Sequence, residues 1–200
     1  MKRTTKYLSV VLFFFCLLGC TTSYSDDVCD FRIPKDSIRN GDLVFRLGRS
    51  VESRFVKSTG EQCGFSHVGI MVWFVNTLKV VHAVPKEHND SIVCEVIEKF
   101  LSQERAQQAG FFKVKCIDSI ANSAAEYGIE KFNEGCMFDH DYELNDDAKM
   151  YCTEFVWRAY KESGVDISMG SRTEIATLFV RSGEVISPQD LMKALSKIKL

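Results

Sequence analysis

FSHVGIMVWF at residues 65–74 and LKVVHAV at residues 78–84 are the runs that decide the fold. Both are rich in β-branched and aromatic residues, which is typical of strands that pack on a pleated sheet. The pair Asn76-Thr77 separates the two runs, and Pro85 ends the second. We therefore predict an antiparallel hairpin over residues 66–84 at the centre of a sheet.

The rest of the chain supplies further strands first and helices afterwards. Strands are predicted at residues 43–47, 91–97 and 111–116, and a short helical stretch at residues 50–57. Helical spacing of apolar residues follows at residues 118–132, 148–163, 173–181 and 187–198, and Gly135 and Gly164 end the first two helices. A central antiparallel sheet or small barrel packed against helices is an α+β fold.

The first 19 residues have the pattern of a secretion signal. Three basic residues within the first six precede an apolar run at residues 8–18, which is too short to span a bilayer comfortably. Gly19-Cys20 then looks like a bacterial lipobox, although an ordinary signal peptide with a chance cysteine is the alternative. We predict a cleaved signal peptide at residues 1–19, a lipidated Cys20 with a tether through residue 35, and one domain over residues 36–200.

The charge and the cysteines of the mature chain limit its partners. Cleavage would remove three of the 25 basic residues and no acidic ones, which leaves 22 basic against 27 acidic residues. A chain with this excess of acid is not expected to bind nucleic acid. Six cysteines remain after Cys16 and Cys20, so if one is a catalytic thiol the other five cannot all pair within the chain. The disulfide pairing stays open.

Cys152 is the candidate nucleophile. It lies in the first turn of the predicted 148–163 helix, where unpaired amides and the helix dipole favour a thiolate and can donate to an oxyanion. A thiol nucleophile needs an imidazole base and a third group that orients it. His67 begins the first strand of the hairpin, and His82 lies on the paired strand at a similar depth. Taken singly, each of these three residues could equally have only a structural role.

Four motifs in order carry a family resemblance: GDLVF at residues 41–45, FSHVGI at 65–70, VHAV at 81–84 and YCTEFV at 151–156. They resemble the motifs of the YiiX/YebB-like cysteine hydrolases, over roughly residues 36–165. That family is a circularly permuted branch of the NlpC-type papain-like amidases, in which the histidine strand precedes the cysteine helix. The resemblance implies a permuted papain-like fold with Cys152 as the nucleophile and His67 as the base.

Two departures from the family pattern concern the third group and the oxyanion. Relatives often carry a glutamate where this chain has His82, although histidine orienters occur in the unpermuted NlpC branch and in lecithin-retinol acyltransferase-like proteins. Relatives often have Tyr-Asp ahead of the nucleophile, whereas residues 138–139 here are Phe-Asp. Tyr142 or Tyr151 could supply the missing hydroxyl.

Several weaker candidates complete the site. Ser66 joins Tyr142 and Tyr151 as an oxyanion or substrate candidate, while Asp42 and Glu154 are expected to support the backbone. The pair Asp146-Asp147 is expected to cap the cysteine helix. Cys63 and His67 have zinc-ligand types, but no second pair follows at a zinc spacing, so neither a metal nor another cofactor is expected.

The resemblance implies an amidase or peptidase, and the predicted lipid anchor at Cys20 would place it in the bacterial cell envelope, at the outer membrane on the periplasmic side if the cell is Gram-negative. The expected partners are a peptidoglycan stem peptide, cut at a γ-D-glutamyl-diaminoacid bond, or another amide or acyl substrate, and the membrane through Cys20. One alternative is a lipid-directed hydrolase or acyltransferase of the lecithin-retinol acyltransferase-like type, which an apolar groove beside Cys152 would favour. Another is a non-catalytic envelope binding module. The exact bond and the oligomeric state stay open.

Overall fold

The computed structural model of the protein describes residues 30–49, 63–85, 90–144, 146–175 and 183–199. The predicted signal peptide, the lipidated Cys20, most of the tether and the helical stretch at residues 50–57 lie outside these ranges and stay predictions. Within the ranges, no helix combines the length and the apolar character needed to cross a bilayer.

Six antiparallel strands form the central sheet, in the spatial order β4-β3-β2-β1-β5-β8. These strands are β1 (Leu43–Gly48), β2 (His67–Phe74), β3 (Thr77–Val84), β4 (Ser91–Val96), β5 (Ala106–Val114) and β8 (Leu195–Lys197). Two further strands, β6 (Thr173–Ile175) and β7 (Gly183–Val185), pair only with each other. The described ranges contain four α-helices: α1 (Ile97–Phe100), α2 (Asp118–Glu134), α3 (Cys152–Glu162) and α4 (Pro188–Met192). The α+β prediction is confirmed.

The sheet is buried on both faces, because successive residues of its strands enter two different clusters. Val68, Ile70 and Val72 of β2 pack with α2 and α3 in the larger cluster, while Met71 packs with α1 in the smaller one. Each fully buried apolar side chain of this size contributes about 1.5–3 kcal/mol to the free energy of unfolding. His67 alternates with Val68 and therefore lies on the face of Met71.

Gly69 lets β2 and β3 approach closely on the histidine face. A Cβ atom at this position would lie 2.4 Å from Val80 Cγ1, closer than real Cβ atoms come, and 3.0 Å from His82 Cβ, which is a tight contact. The close pairing of β2 and β3 therefore requires glycine at this position.

On the other face of the sheet, α2 ends as predicted at Gly135, whose φ of 71° is a left-handed C-cap.

Four predicted elements differ from the structure. β5 begins at Ala106 rather than at residue 111, because residues 106–110, two alanines, two glutamines and a glycine, pair with β1 despite their low strand propensity. The helix predicted at residues 148–163 begins only at Cys152, since Met137 and Met150 hydrogen-bond through their backbones and keep the preceding segment extended. The prediction that Asp146-Asp147 cap this helix is wrong, because the N-cap residue is Tyr151, whose own side chain makes no capping hydrogen bond.

The two closing helices are also corrected. Thr173–Ile175 is a strand paired with β7, and residues 176–182 lie outside the described ranges. The helix opened by Ser187 is confirmed as α4, where Ser187 and Asp190 form a capping box. It ends at Met192, and Leu195–Lys197 then adds a strand to the edge of the sheet beside β5. Pairing with β5 satisfies backbone groups that a longer helix would have satisfied internally.

Candidate active site

His67 and His82 lie next to each other on one face of the β2–β3 hairpin. His82 follows Val81, which pairs with Ile70, so it faces Gly69 and is diagonal to His67. The two rings are nearly perpendicular, and His67 Nε2 lies 2.9 Å from His82 Nδ1. This is a hydrogen bond of ordinary length between two buried side chains.

The hydrogen bond continues to a carboxylate that sequence reasoning missed. His82 Nε2 lies 3.0 Å from Oε1 of Glu95 on β4. Arg105 Nη1 donates to both Glu95 oxygens over 2.8 and 3.0 Å, and Lys99 Nζ lies 3.7 Å from Oε2. Alternation along β4 places Glu95 on the histidine face, but the register between β3 and β4 could not be read from the loop that joins them.

An aromatic ring and a guanidinium complete this face. The buried Phe100 of α1 stacks on His67 with 5.7 Å between ring centroids and meets His82 edge-on at 4.8 Å. Arg46, the cross-strand partner of His67 on β1, lies with Cζ 4.4 Å from the centre of the Phe100 ring. Its Nη1 donates to the Phe100 carbonyl oxygen over 2.6 Å. A cation is thus fixed beside His67.

Cys152 is the first residue of α3 and is half-buried. At the other end of the helix, Tyr160 Oη donates to the Gly41 carbonyl oxygen over 2.6 Å, which fixes α3 at the start of β1. From Tyr160 back to Cys152 the helix covers roughly 12 Å, and Phe155 on the way lies in the larger cluster with Ile70 of β2. The N-terminus of α3 is therefore directed toward the end of the sheet where β2 begins.

Burial keeps both histidine rings neutral near pH 7. Burial, Arg46 and His82 hold the pKa of His67 well below its ordinary value. Burial lowers the pKa of His82 to about 4, although the hydrogen bond with Glu95 opposes this. The pKa of Glu95 falls to about 2, because the bonds from His82 and Arg105 outweigh its burial. The pair therefore offers a neutral base beside an ionised carboxylate.

Burial also lowers the pKa of Arg46 to about 10, helped by the charge of Arg105, while the negative charges of Glu95 and Cys152 act in the opposite direction. The field of Arg46 thus acts on both His67 and Cys152. Arg46 therefore lies within electrostatic range of both the N-terminus of α3 and the histidine face.

A family model described as permuted papain-like amidase enzyme, YaeF/YiiX, C92 family, matches residues 37–196. The chain belongs to the permuted papain-like amidases. Among solved structures, the chain is similar to metalloprotein yiiX from Escherichia coli O157:H7, with a TM-score of 0.65 and 17% identity over 80% of this chain and 96% of that one. At this identity the likeness shows the fold alone. No curated protein matches the chain.

The similar structure from Escherichia coli O157:H7 is named a metalloprotein, so metal-ligand types are of interest in this permuted papain-like amidase. Across the described ranges, no three side chains of the types histidine, cysteine, aspartate and glutamate lie close enough together to hold a metal ion. The donors on the histidine face are engaged with one another instead, as the bonds of His82 to His67 and Glu95 illustrate.

In this amidase, two of the three oxyanion candidates bind backbone amides of the protein itself. Ser66 Oγ accepts a hydrogen bond from the Gly48 amide over 2.9 Å, which ties the end of β1 to the start of β2. The Tyr151 hydroxyl accepts from the Ile186 amide over 2.8 Å. Tyr142 packs its ring 5.1 Å from that of Tyr151, between centroids. The backbone amide of Cys152 lies in the first turn of α3, where helix amides are able to donate to an oxyanion.

The two predicted support residues are both fully buried. Asp42 accepts hydrogen bonds from the backbone amide and Nε of Arg39, each over 3.0 Å. Glu154 accepts from Arg158 Nε over 2.8 Å, and burial raises its pKa to about 7. Asp139 accepts from the amides of Asp141 and Glu143 and so shapes the loop before α3.

Acidification is expected to destabilise the fold through the histidine pair. The unfolded rings bind protons near pH 6.5, whereas folded His82 does so only near pH 4. The stabilisation is therefore fully present above pH 6.5 and is lost as the pH falls toward 4, at up to about 1.4 kcal/mol per pH unit for each ring. Glu95, with its pKa at about 2, extends the loss below pH 4.5.

Urea unfolding at pH 7, 6 and 5 measures this effect, with His82→Gln as the comparison, since glutamine can still bond to both neighbours. Glu154, with its raised pKa, acts in the opposite direction in both proteins, so the difference in slope isolates His82. The variant should lose less stability on acidification. An equal pH slope in the two proteins would contradict the assignment.

Proposed function

We propose that this chain is a cysteine amidase anchored at the cell envelope, with Cys152 as nucleophile, His67 as base and His82 as the group that orients His67. The observation that carries the proposal is the 2.9 Å hydrogen bond between His67 Nε2 and His82 Nδ1. It leaves Nδ1 of His67 for a thiol, in a family of permuted papain-like amidases whose histidine strand here precedes a helix beginning at Cys152.

The reaction follows from these positions. The Cys152 thiol gives its proton to His67 Nδ1 as its sulfur attacks the amide carbon, and the Cys152 amide donates to the resulting oxyanion. The His67 imidazolium then protonates the leaving nitrogen, the C–N bond breaks, and a thioester remains. Water gives a proton to His67 and attacks the thioester, so that the carboxylic acid leaves and the thiol is restored.

The charge of this site is complementary to that of a peptidoglycan stem peptide. The α-carboxylate of D-glutamate and a carboxylate of the diamino acid flank the γ-glutamyl amide bond. Arg46, which lies beside His67, gives this end of the sheet a positive charge that attracts such groups. A lipid substrate would instead need a long apolar groove. The described residues do form a cavity of about 530 Å³, lined by Glu126, Glu130 and Asn122 among others. None of the three proposed catalytic residues lines it, so this cavity is not a groove beside Cys152.

Substrate choice is tested by incubating the purified protein with tripeptide muropeptides and, separately, with phospholipid vesicles. Mass spectrometry should detect two products from the muropeptide: a fragment that ends in D-glutamate, and the diamino acid with a new free amine. It should detect no fatty acid released from the vesicles. Fatty acid release without peptide cleavage would replace the amidase by the lipid-directed alternative. Turnover of neither substrate, with Cys152 no more reactive than a free cysteine toward iodoacetamide, would favour a binding module.

Membrane attachment is proposed to depend on Cys20 alone. Cys20→Ser removes the thiol that would be lipidated, so the protein should move from the membrane fraction to the soluble fraction after washing without detergent. Cys16→Ser, inside the predicted leader, is the matched control and should leave attachment unchanged. A Cys20→Ser protein that stays in the membrane fraction would mean an uncleaved anchor or a domain that binds lipid directly.

A further inference from the structure

Glu95 ends a chain of hydrogen bonds that runs from β2 to β4. The chain links His67 Nε2 to His82 Nδ1 over 2.9 Å and His82 Nε2 to Glu95 Oε1 over 3.0 Å. The Glu95 side chain is only 12% exposed, so this carboxylate lies under the protein surface. Neither the reaction sequence above nor the family pattern assigns it a part.

We propose that Glu95 is a positioning residue of the triad, which acts through His82 to fix the proton positions on both rings so that His67 Nδ1 carries the lone pair. The inference rests on the proposed cysteine amidase function. It follows from the valence of each group in the chain. A carboxylate only accepts hydrogen bonds, so His82 Nε2 must carry the hydrogen that points at Glu95.

The same valence argument then applies to the two imidazole rings in turn. A neutral imidazole has one N–H, so His82 Nδ1 must accept the hydrogen bond from His67. His67 Nε2 is therefore the donor, and its Nδ1 is left as the acceptor for the proton of a thiol. With the opposite tautomers, His67 Nδ1 would carry a hydrogen and could not act as a base.

Three cations face this chain of hydrogen bonds. Arg105 donates to both carboxylate oxygens, and Lys99 lies 3.7 Å from one of them. Arg46 acts on both rings from the other side and disfavours their protonation. When His67 takes the proton, the negative charge of Glu95 stabilises the imidazolium through His82. Glu95 and Arg105 thus shift the protonation of His82 in opposite directions.

The test compares Glu95→Met, Glu95→Gln and Arg105→Gln with wild type, and uses Glu98→Gln as the matched control. Glu98 is an exposed glutamate on α1 whose partner is Lys35, so its replacement should change nothing at the triad. Two-bond ¹H–¹⁵N spectra of the full chain report which nitrogen of each ring carries hydrogen. The pH profile of kcat/KM for muropeptide cleavage reports the protonation of the coupled rings.

Wild type should show hydrogen on Nε2 of both His67 and His82. Glu95→Met should give mixed tautomers, a roughly 10- to 100-fold lower kcat and an acid limb moved to lower pH. That loss is smaller than the about 10⁴-fold loss known for an amide in place of a carboxylate in direct contact with the catalytic histidine. Arg105→Gln should move the acid limb to higher pH. A merely structural role would not shift the limb in opposite directions.

Two results would overturn the proposal. One is hydrogen on Nδ1 of either ring in wild type, and the other is unchanged tautomers and pH profile in both Glu95 variants. If Glu95→Met does not fold, Glu95→Gln and the partly exposed Arg105→Gln carry the same test. The spectra need no turnover, so failure of the amidase assignment would leave the tautomer result standing and could be recognised separately.

Discussion

Alanine at position 152 is expected to abolish amide hydrolysis without unfolding the protein. The side chain is small and half-buried, so its loss leaves a minor gap beside the larger cluster, while the only proposed nucleophile disappears. Muropeptide cleavage measured by chromatography should fall to background, and circular dichroism should stay unchanged. The loss should be larger than for any other substitution in the site, because no remaining group can form the thioester.

Cys136→Ala is the matched control for this result. Cys136 is 7% exposed, its thiol lies 3.4 Å from the Ala148 carbonyl oxygen, and burial raises its pKa to about 11. A thiol held protonated in this way is not a nucleophile at neutral pH. Its replacement should cost some stability and leave kcat unchanged. Full activity in the Cys152→Ala protein would move the nucleophile elsewhere in the chain.

His67→Ala should lower kcat/KM by about 10²-fold or more, the usual effect of removing a general base. His82→Ala should have a smaller effect, because His82 orients the base without carrying the transferred proton. Both rings pack on Phe100, so the melting temperature of each variant must be measured alongside the kinetics. His140→Ala, at an exposed histidine paired with Asp90, is the matched control and should be fully active. A His67→Ala enzyme with wild-type turnover would exclude His67 as the base.

Local sequence patterns predicted the elements that position the site. The β2–β3 hairpin and α2 are continuous runs with clear periodicity and end signals, so their bounds follow from residues within each run. β8 and the start of β5 could not be predicted in this way. Their residues form strands because a neighbouring strand offers unpaired backbone groups, and that information lies far away in the sequence.

The residues of the candidate site also differ in whether local or distant sequence places them. His67 and His82 stand in one hairpin with a two-residue turn, so their proximity follows from local pairing. Glu95 and Arg46 reach the site from β4 and β1, and Phe100 reaches it from α1. Placing them requires the register of strands joined by longer connections, which the spacing of residues alone does not fix.

The close approach of β2 and β3 at Gly69 shows how a residue without any functional group can set the spacing of reacting ones. His82 can lie diagonal to His67 because nothing projects from the position between them. A side chain there would overlap Val80 Cγ1 and press on His82 Cβ and the Val81 carbonyl oxygen, so the strand pair that carries the two rings would have to shift. A survey that replaces only the polar residues of the pocket would therefore overlook one of its determinants, and anyone transplanting the histidine pair to another hairpin must carry the glycine with it.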